Sequence, residues 1–294
     1  MSYLKPKNRS IMKTKFLIIG FFAALTFFSC SSNDTTADST AVSSNDVALT
    51  AKIDSSLEDI DAITEDQFSA QQSLTTRIDG YRKSILPSCA TITTVLTDNV
   101  WTRTIDFGAE GCTLANGNTI KGKISISFTN DFSTNTLAIN TTFEGFYHNG
   151  KLIQGSKSIT YTKESTALQE EIHPVLSHTI DLSITFDDGK TYEIAGNRIR
   201  EMVEGYSTPL EWNDNIFMIS GDSSITKKDG TVITCEITNP LRYEMSCNSP
   251  FPVAGTKIIT KNDTTATLDF GTGECNNLAS LTLDGVTTEI TLKK

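Results

Sequence analysis

The chain has 294 residues, 38% hydrophobic and 20% charged, a composition that excludes disorder throughout and leaves room for one large or two ordinary domains. Threonine occupies 43 positions, which favours strands over helices. Five cations and no acid fall within the first 29 residues, so the remaining 265 carry 20 basic against 35 acidic side chains; a net charge of −15 repels nucleic acid phosphate.

The first element in chain order is an apolar run of thirteen residues, Phe16 to Phe28, behind Lys13 and Lys15. A membrane-spanning helix needs roughly 20 apolar residues, whereas the hydrophobic part of a secretory leader needs about 7–15 after a basic start. The run therefore reads as a leader covering residues 1–29, with Met12 as an alternative start. It ends Leu25-Thr26-Phe27-Phe28-Ser29-Cys30 and passes directly into Ser31-Ser32-Asn33-Asp34-Thr35-Thr36. This resembles a bacterial lipoprotein lipobox, with Phe27 where an aliphatic residue is usual and Phe28 where a small one is common. The resemblance implies cleavage before Cys30 and diacylation of its thiol, and several acyl chains hold a protein to a membrane far more firmly than one. The competing expectation is an ordinary secretory leader whose Cys30 enters a disulfide.

Residues 30–50 are small and polar and read as a disordered tether, because they cannot bury enough area to offset the entropy of ordering. Asp34-Thr35-Thr36 and Asp38-Ser39-Thr40 within it resemble the short O-glycosylation sites of Bacteroidota. A helical segment is expected over 51–84, its pattern already starting near Asn45 and running to about Ala70. Val47, Ile53, Leu57, Ile60, Ile63 and Phe68 keep helical spacing there, with Asp and Glu on the other face. The apolar face is expected to cover the following domain, with a partner protein as the alternative. Gly80 ends the pattern.

Residues 85–294 read as an all-β domain. Ile120, Ile124, Ile126 and Phe128 alternate with Lys121, Lys123, Ser125 and Ser127, and the same parity recurs in Ile153, Ile159, Tyr161, in Ile180, Leu182, Ile184, Phe186, and in Ala266, Leu268, Phe270. Between the runs stand Asn116-Gly117, Asn149-Gly150, Asp188-Gly189, Asp229-Gly230 and Asp284-Gly285, expected as tight primed hairpin turns. No helix is expected after residue 90, so parallel crossovers lack connectors. The expected fold is an antiparallel meander of about 12–14 strands, curled into a sandwich or partial barrel.

Two internal similarities carry weight. Asn116-Gly117 through Gly122 parallels Asn149-Gly150 through Gly155, and a second glycine inside such a strand, five residues after the first, marks a bend or bulge. Thr104-Ile105-Asp106-Phe107-Gly108 with Cys112 parallels Thr267-Leu268-Asp269-Phe270-Gly271 with Cys275. Each copy also has a cysteine before it, so the expected disulfides are Cys89–Cys112 and Cys247–Cys275. Cys235 alternates with Ile233 and Ile237 and is expected on the dry face as a free thiol; Cys235–Cys247 is the rival pairing.

Catalytic signals are weak. The two Asp-Phe-Gly triplets have no Gly-rich phosphate loop or His-Arg-Asp loop beside them, so a kinase reading fails, and Asp106 and Asp269 are expected on the polar face. His148, His173 and His178 lack ligand spacing for a metal, and Ser177-His178 lacks a nucleophile elbow. Asp187-Asp188-Gly189 and Asn213-Asp214-Asn215 do not follow a Ca²⁺ loop. No catalytic residue, cofactor or metal is expected. The segment from Arg198 to Asn215 reads as a long polar loop, which makes Arg198, Arg200, Trp212 and Asp214 a candidate ligand rim.

The lipobox, Cys89-Ala90-Thr91-Ile92-Thr93, the Asp-Phe-Gly segments with their cysteines, Gly122-Lys123-Ile124-Ser125-Ile126 and the stretch Trp212 to Gly221 together resemble a family of Bacteroidota envelope lipoproteins. The resemblance implies an outer-membrane location, facing the periplasm or the cell surface, and transfers no activity. The expected function is a lipid-anchored, non-enzymatic binding or structural module, with a glycan or an envelope protein as partner. The alternatives are a glycan binder or glycosidase using Trp101, Trp212 and loop carboxylates, and a lipid carrier with an apolar groove.

Overall fold

The computed structural model describes residues 41–76 and 84–294. The leader, Cys30, the candidate glycosylation tripeptides and Gly80 lie outside the described residues. One long helix, α1 (Ser44–Thr76), precedes fourteen strands. These are β1 (Thr91–Thr97), β2 (Val100–Asp106), β3 (Cys112–Thr113), β4 (Thr119–Thr129), β5 (Thr136–His148), β6 (Lys151–Glu164) and β7 (His173–Thr185). They continue with β8 (Thr191–Glu204), β9 (Ile216–Lys227), β10 (Val232–Glu244), β11 (Ala254–Lys261), β12 (Thr264–Thr272), β13 (Leu278–Leu283) and β14 (Val286–Thr291). Strands make up 55% of the described residues and form one antiparallel sheet that does not close into a barrel. Its order follows the sequence from β1 to β14, except that the two-residue β3 pairs with β4 beside the main path.

The expected meander is therefore present, and the alternation sorts faces as expected. Ile124, Ile126, Ile139, Ile153, Ile180, Leu182, Ile233, Ile259 and Leu268 are buried on the inner face. Asn149-Gly150 and Asp284-Gly285 have positive φ at both positions, as primed turns require, and so do Asp98-Asn99 and Asn262-Asp263. Asn116-Gly117, Asp188-Gly189 and Asp229-Gly230 differ from expectation, because only the glycine has positive φ. Each closes with a second bond one residue wider, as in Phe186 N–H to Lys190 C=O around Gly189, so these are three-residue loops ending in a glycine bulge.

Two glycines show how so wide a sheet curls. Gly122 (φ +82°) sits where the β4–β5 register slips between Lys121 and Lys123, and Gly155 (φ +99°) faces the slip in β5 between Thr142 and Phe146. A Cβ at either would strike the neighbouring strand's backbone, at Gly145 or at Asp181. The bulges bend the strands around α1.

The helix starts earlier than the tether reading places it. Ser43 Oγ and N–H both donate to Asp46 Oδ2 (2.8 and 3.0 Å), while Asp46 N–H donates to Ser43 Oγ (3.3 Å), a capping box that begins the helix at Ser44. Residues 44–50 are thus helical, and Asp46, Val47 and Thr50 are buried. The larger difference is that α1 is not half exposed. Asp54, Glu58, Asp59, Asp61, Glu65 and Asp66 are buried along with Leu57, Ile60 and Ile63, because the sheet surrounds the helix.

The disulfides are Cys89–Cys112 and Cys247–Cys275, with Cα atoms 6.0 and 5.3 Å apart, and Cys235 is free and buried. Loops of 23 and 28 residues correspond to about 3 kcal/mol each on the chain-entropy model. The duplicated segments match in detail: Asp106 Oδ1 accepts from Gly108 N–H and Asp269 Oδ1 from Gly271 N–H, both at 2.8 Å. These aspartates are turn formers.

Gly122→Ala is expected to lower stability by about 2 kcal/mol or more, read as a drop in the urea midpoint at unchanged slope. An unchanged midpoint would mean that the β4–β5 bend does not need the glycine.

Candidate functional site

The inner surface of the sheet and the helix inside it form the most heavily charged interior of the molecule. Seven carboxylates lie on α1 (Asp46, Asp54, Glu58, Asp59, Asp61, Glu65, Asp66), and the sheet sends side chains to most of them. Asp46 meets Lys227 (3.2 Å) and Lys261 (3.3 Å). Asp54 meets Arg198 Nη2 (2.6 Å) and Lys257, whose Nζ also reaches Thr50 Oγ1 (3.2 Å). Arg200 donates from Nη1 and Nη2 to the two oxygens of Glu58 (2.7 and 3.1 Å), and its guanidinium stacks 3.8 Å from the Phe217 ring. Asp61 pairs with Lys157 and lies 3.4 Å from His178 Nδ1. Arg103 reaches Gln67 Oε1 and Gln71 Oε1, both at 2.8 Å, and Asp66 accepts from Ser84 Oγ (2.6 Å).

These basic side chains occupy sheet positions of apolar parity. Lys157 precedes Ile159 on β6, His178 precedes Ile180 on β7, and Lys257 precedes Ile259 on β11, all pointing inward. Alternation alone marks them as buried. Nothing in a single strand says that an acid will meet them.

Arg198 and Arg200 therefore do not form a rim. They belong to β8, not to a loop, because β8 stays paired with β9 as far as Glu204, and both guanidiniums are ion-paired to the helix. Asp214 is exposed and accepts from Thr208 Oγ1 of its own loop (2.6 Å). Of the four, only Trp212 faces a cavity. Trp101 lies apart on β2, its indole N–H donating to Asn130 (2.7 Å).

His148 makes the arrangement nearest to catalytic chemistry. Its Nε2 is 2.6 Å from Asp59 Oδ2 and its Nδ1 is 3.0 Å from Ser56 Oγ. Asn116 and Asn118 also donate to Asp59 (2.7 and 2.6 Å). A Ser-His-Asp relay needs an accessible hydroxyl with room for a carbonyl and donors for its oxygen. Ser56 and His148 are wholly buried, and Ser56 Oγ donates back to the Lys52 carbonyl (3.1 Å). The geometry clamps the helix to β4 and β5. His173 is likewise held, by Glu201 (3.2 Å) and the Glu171 carbonyl (2.8 Å). Among the described residues no three His, Cys, Asp or Glu side chains converge as metal ligands.

Burial sets the ionisation. It pushes Glu65 up to about 8 against the pull of Arg200, with Asp61 and Glu58 adding repulsion. It pushes His178 down to about 4 despite Asp61. Burial alone would raise Asp61, but Lys157 and His178 outweigh it and hold that carboxyl well below the carboxylate range. Burial also raises the Cys235 thiol to about 11, which leaves it un-ionised at neutral pH.

Two cavities open beside the helix. The first, about 430 Å³, lies between Asp59 and Ile63 of α1, Leu86, Leu114, Trp212 and Met245. The second, about 310 Å³, lies at the C-terminal end of α1, with Glu65 and Phe68 on one side and Tyr161, Leu176 and Met202 on the other.

Comparison with protein-family models, with curated proteins and with solved structures finds no match to this chain.

His178 binds fewer protons folded than unfolded between about pH 4 and 6.5, so stability should fall as pH drops through that window. Glu65 binds more protons folded than unfolded between 4.5 and about 8, so its contribution should fall as pH rises there. Urea midpoints measured from pH 4 to 8 should show the acid-side slope flatten in His178→Gln and the opposing slope disappear in Glu65→Gln. Unaltered slopes in both variants would contradict the assignment.

Proposed function

We propose that the chain is a lipid-anchored protein of the bacterial envelope, moored at the outer membrane through Cys30, and that its β domain is a non-enzymatic binding or structural module. The observation that carries the second part is the filled interior. The concave face of the sheet holds α1, whose acids engage the inward cations, so the surfaces offered to a partner are the outer face, the loops and the two cavities. A carrier using the inside of the curled sheet would need the space that α1 occupies. An acidic exterior favours partners other than nucleic acid.

One observation favours a second reading, a glycan binder or glycosidase. The first cavity brings together Trp212, Asn213, Asn116 and Asn248 with the carboxylates of Glu211 and Glu244. An aromatic face beside amides and acids is suited to a sugar ring. A glycan array and a panel of chromogenic glycosides test it; blanks in both remove that reading.

Anchoring is tested by fractionating cells that express the wild type and Cys30→Ala. The wild type should sediment with the outer membrane, and the variant should appear unprocessed in the soluble fraction. Membrane retention and unchanged processing of the variant would overturn the lipoprotein assignment.

A further inference from the structure

The second cavity sits where the C-terminal half of α1 leaves the sheet. Its apolar lining comes from separate elements, Phe68 from α1, Phe132 from the β4–β5 connection, Tyr161 from β6, Leu176 from β7 and Met202 from β8, and polar side chains such as Ser69, Gln72 and Lys163 complete the wall. Phe68 stacks on Phe132 and Tyr161 at 5.8 and 5.1 Å, which fixes that wall. At the mouth, Ile172 is 69% exposed, more than almost any other large apolar side chain among the described residues. At the inner end is Glu65, whose side chain is 4% exposed. Its Oε1 lies 2.8 Å from Arg200 Nε, at ion-pair distance but outside hydrogen-bond geometry. Its Oε2 has no hydrogen-bond partner among the described residues.

Asp46, Asp54, Glu58 and Asp61 of the same helix, by contrast, each accept a hydrogen bond from a cation of the sheet. A buried carboxyl oxygen without a partner costs on the order of 1–3 kcal/mol, and such a group at the inner end of a cavity calls for a ligand atom to meet it. A volume of about 310 Å³ lies at the small end of ligand cavities.

We propose that this cavity binds a small, largely apolar molecule bearing one hydroxyl or amino group, with Phe68, Tyr161, Leu176 and Met202 covering its body and Glu65 receiving the polar group. The proposal rests on the reading of the β domain as a binding module. The tests remain separate, because a probe titration reads this cavity alone while fractionation reads anchoring. Glu65, raised to about 8 by burial, is mainly protonated at neutral pH and so can both donate to and accept from a hydroxyl or a neutral amine. The opening beside Ile172 supplies the entry path.

The test is a fluorescence titration of the full chain carrying Cys30→Ala, which keeps acyl chains out of the assay, with 1-aminoanthracene as probe. Saturable enhancement at one site per chain is expected. Ser69, on the cavity wall and only partly buried, is the place to block it: Ser69→Trp should weaken binding by about tenfold or more. Loss of one hydrogen bond in Glu65→Leu should weaken it by about five- to tenfold, whereas Glu65→Gln, which keeps a donor and an acceptor, should stay within about twofold. No saturable binding, or unaltered binding in Ser69→Trp, overturns the proposal. Unaltered binding in a folded Glu65→Leu overturns the role of the carboxyl.

Discussion

The meeting of the α1 carboxylates with the inward-facing cations of the sheet is the constraint on which the structure depends. Placing charges inside a protein is expensive, because each leaves water, and only close pairing with further hydrogen bonds offsets the loss. Here Arg200 is held by Glu58 and a phenyl ring, Asp54 by an arginine and a lysine, and Asp61 by a lysine and a histidine. Remove the helix and Lys157, Lys257, Arg198 and Arg200 face one another across an apolar lining. Remove the sheet and α1 is a 33-residue helix whose seven acids lose their partners and whose apolar side chains lose their cover. Neither half satisfies itself.

Pairing of this kind fixes position as well as proximity. An apolar helix in an apolar trough can slide or rotate at small cost. Distinct partners for Asp46, Asp54, Glu58, Asp59 and Asp61 allow one axial placement and one rotation. The clamp of His148 on Ser56 and Asp59 and the reach of Arg103 to Gln67 and Gln71 act from other sides of the helix. The sheet is adapted to this guest. Bulges at Gly122 and Gly155 bend it, and the two disulfides secure the segments next to its first and last strands.

Much of the fold was legible in the sequence because strand alternation and turn residues are local signals. Ile120 to Phe128 and Ile180 to Phe186 announce one dry face each, and the paired Asp-Phe-Gly segments point to the disulfides. What escaped was the content of the dry face. Lys157, His178, Arg200 and Lys257 share parity with apolar neighbours, and Asp54, Glu58, Asp61 and Glu65 are spaced 4, 3 and 4 residues apart, one stripe of a helix. Both halves of the charge pairing were written in the chain, yet an acidic stripe ordinarily means a wetted face. Only the topology, which carries the strands around α1, turns it inward. The helix start is hidden for a different reason, since Ser43 and Asp46 form a capping box inside a stretch with the Ser-rich composition of a linker. The rim assigned to Arg198 and Arg200 failed because charged strand residues imitate a loop.

The central claim is that α1 is an interior element locked by buried ion pairs. Native-state hydrogen exchange resolved along the chain tests it most directly, since a locked helix opens only when the domain unfolds. Amides from Val47 to Phe68 should then exchange with the same opening free energy as those of β6, β7 and β8. Exchange of those helix amides within seconds, while the strands stay protected, would show a helix resting on the sheet and would contradict the account.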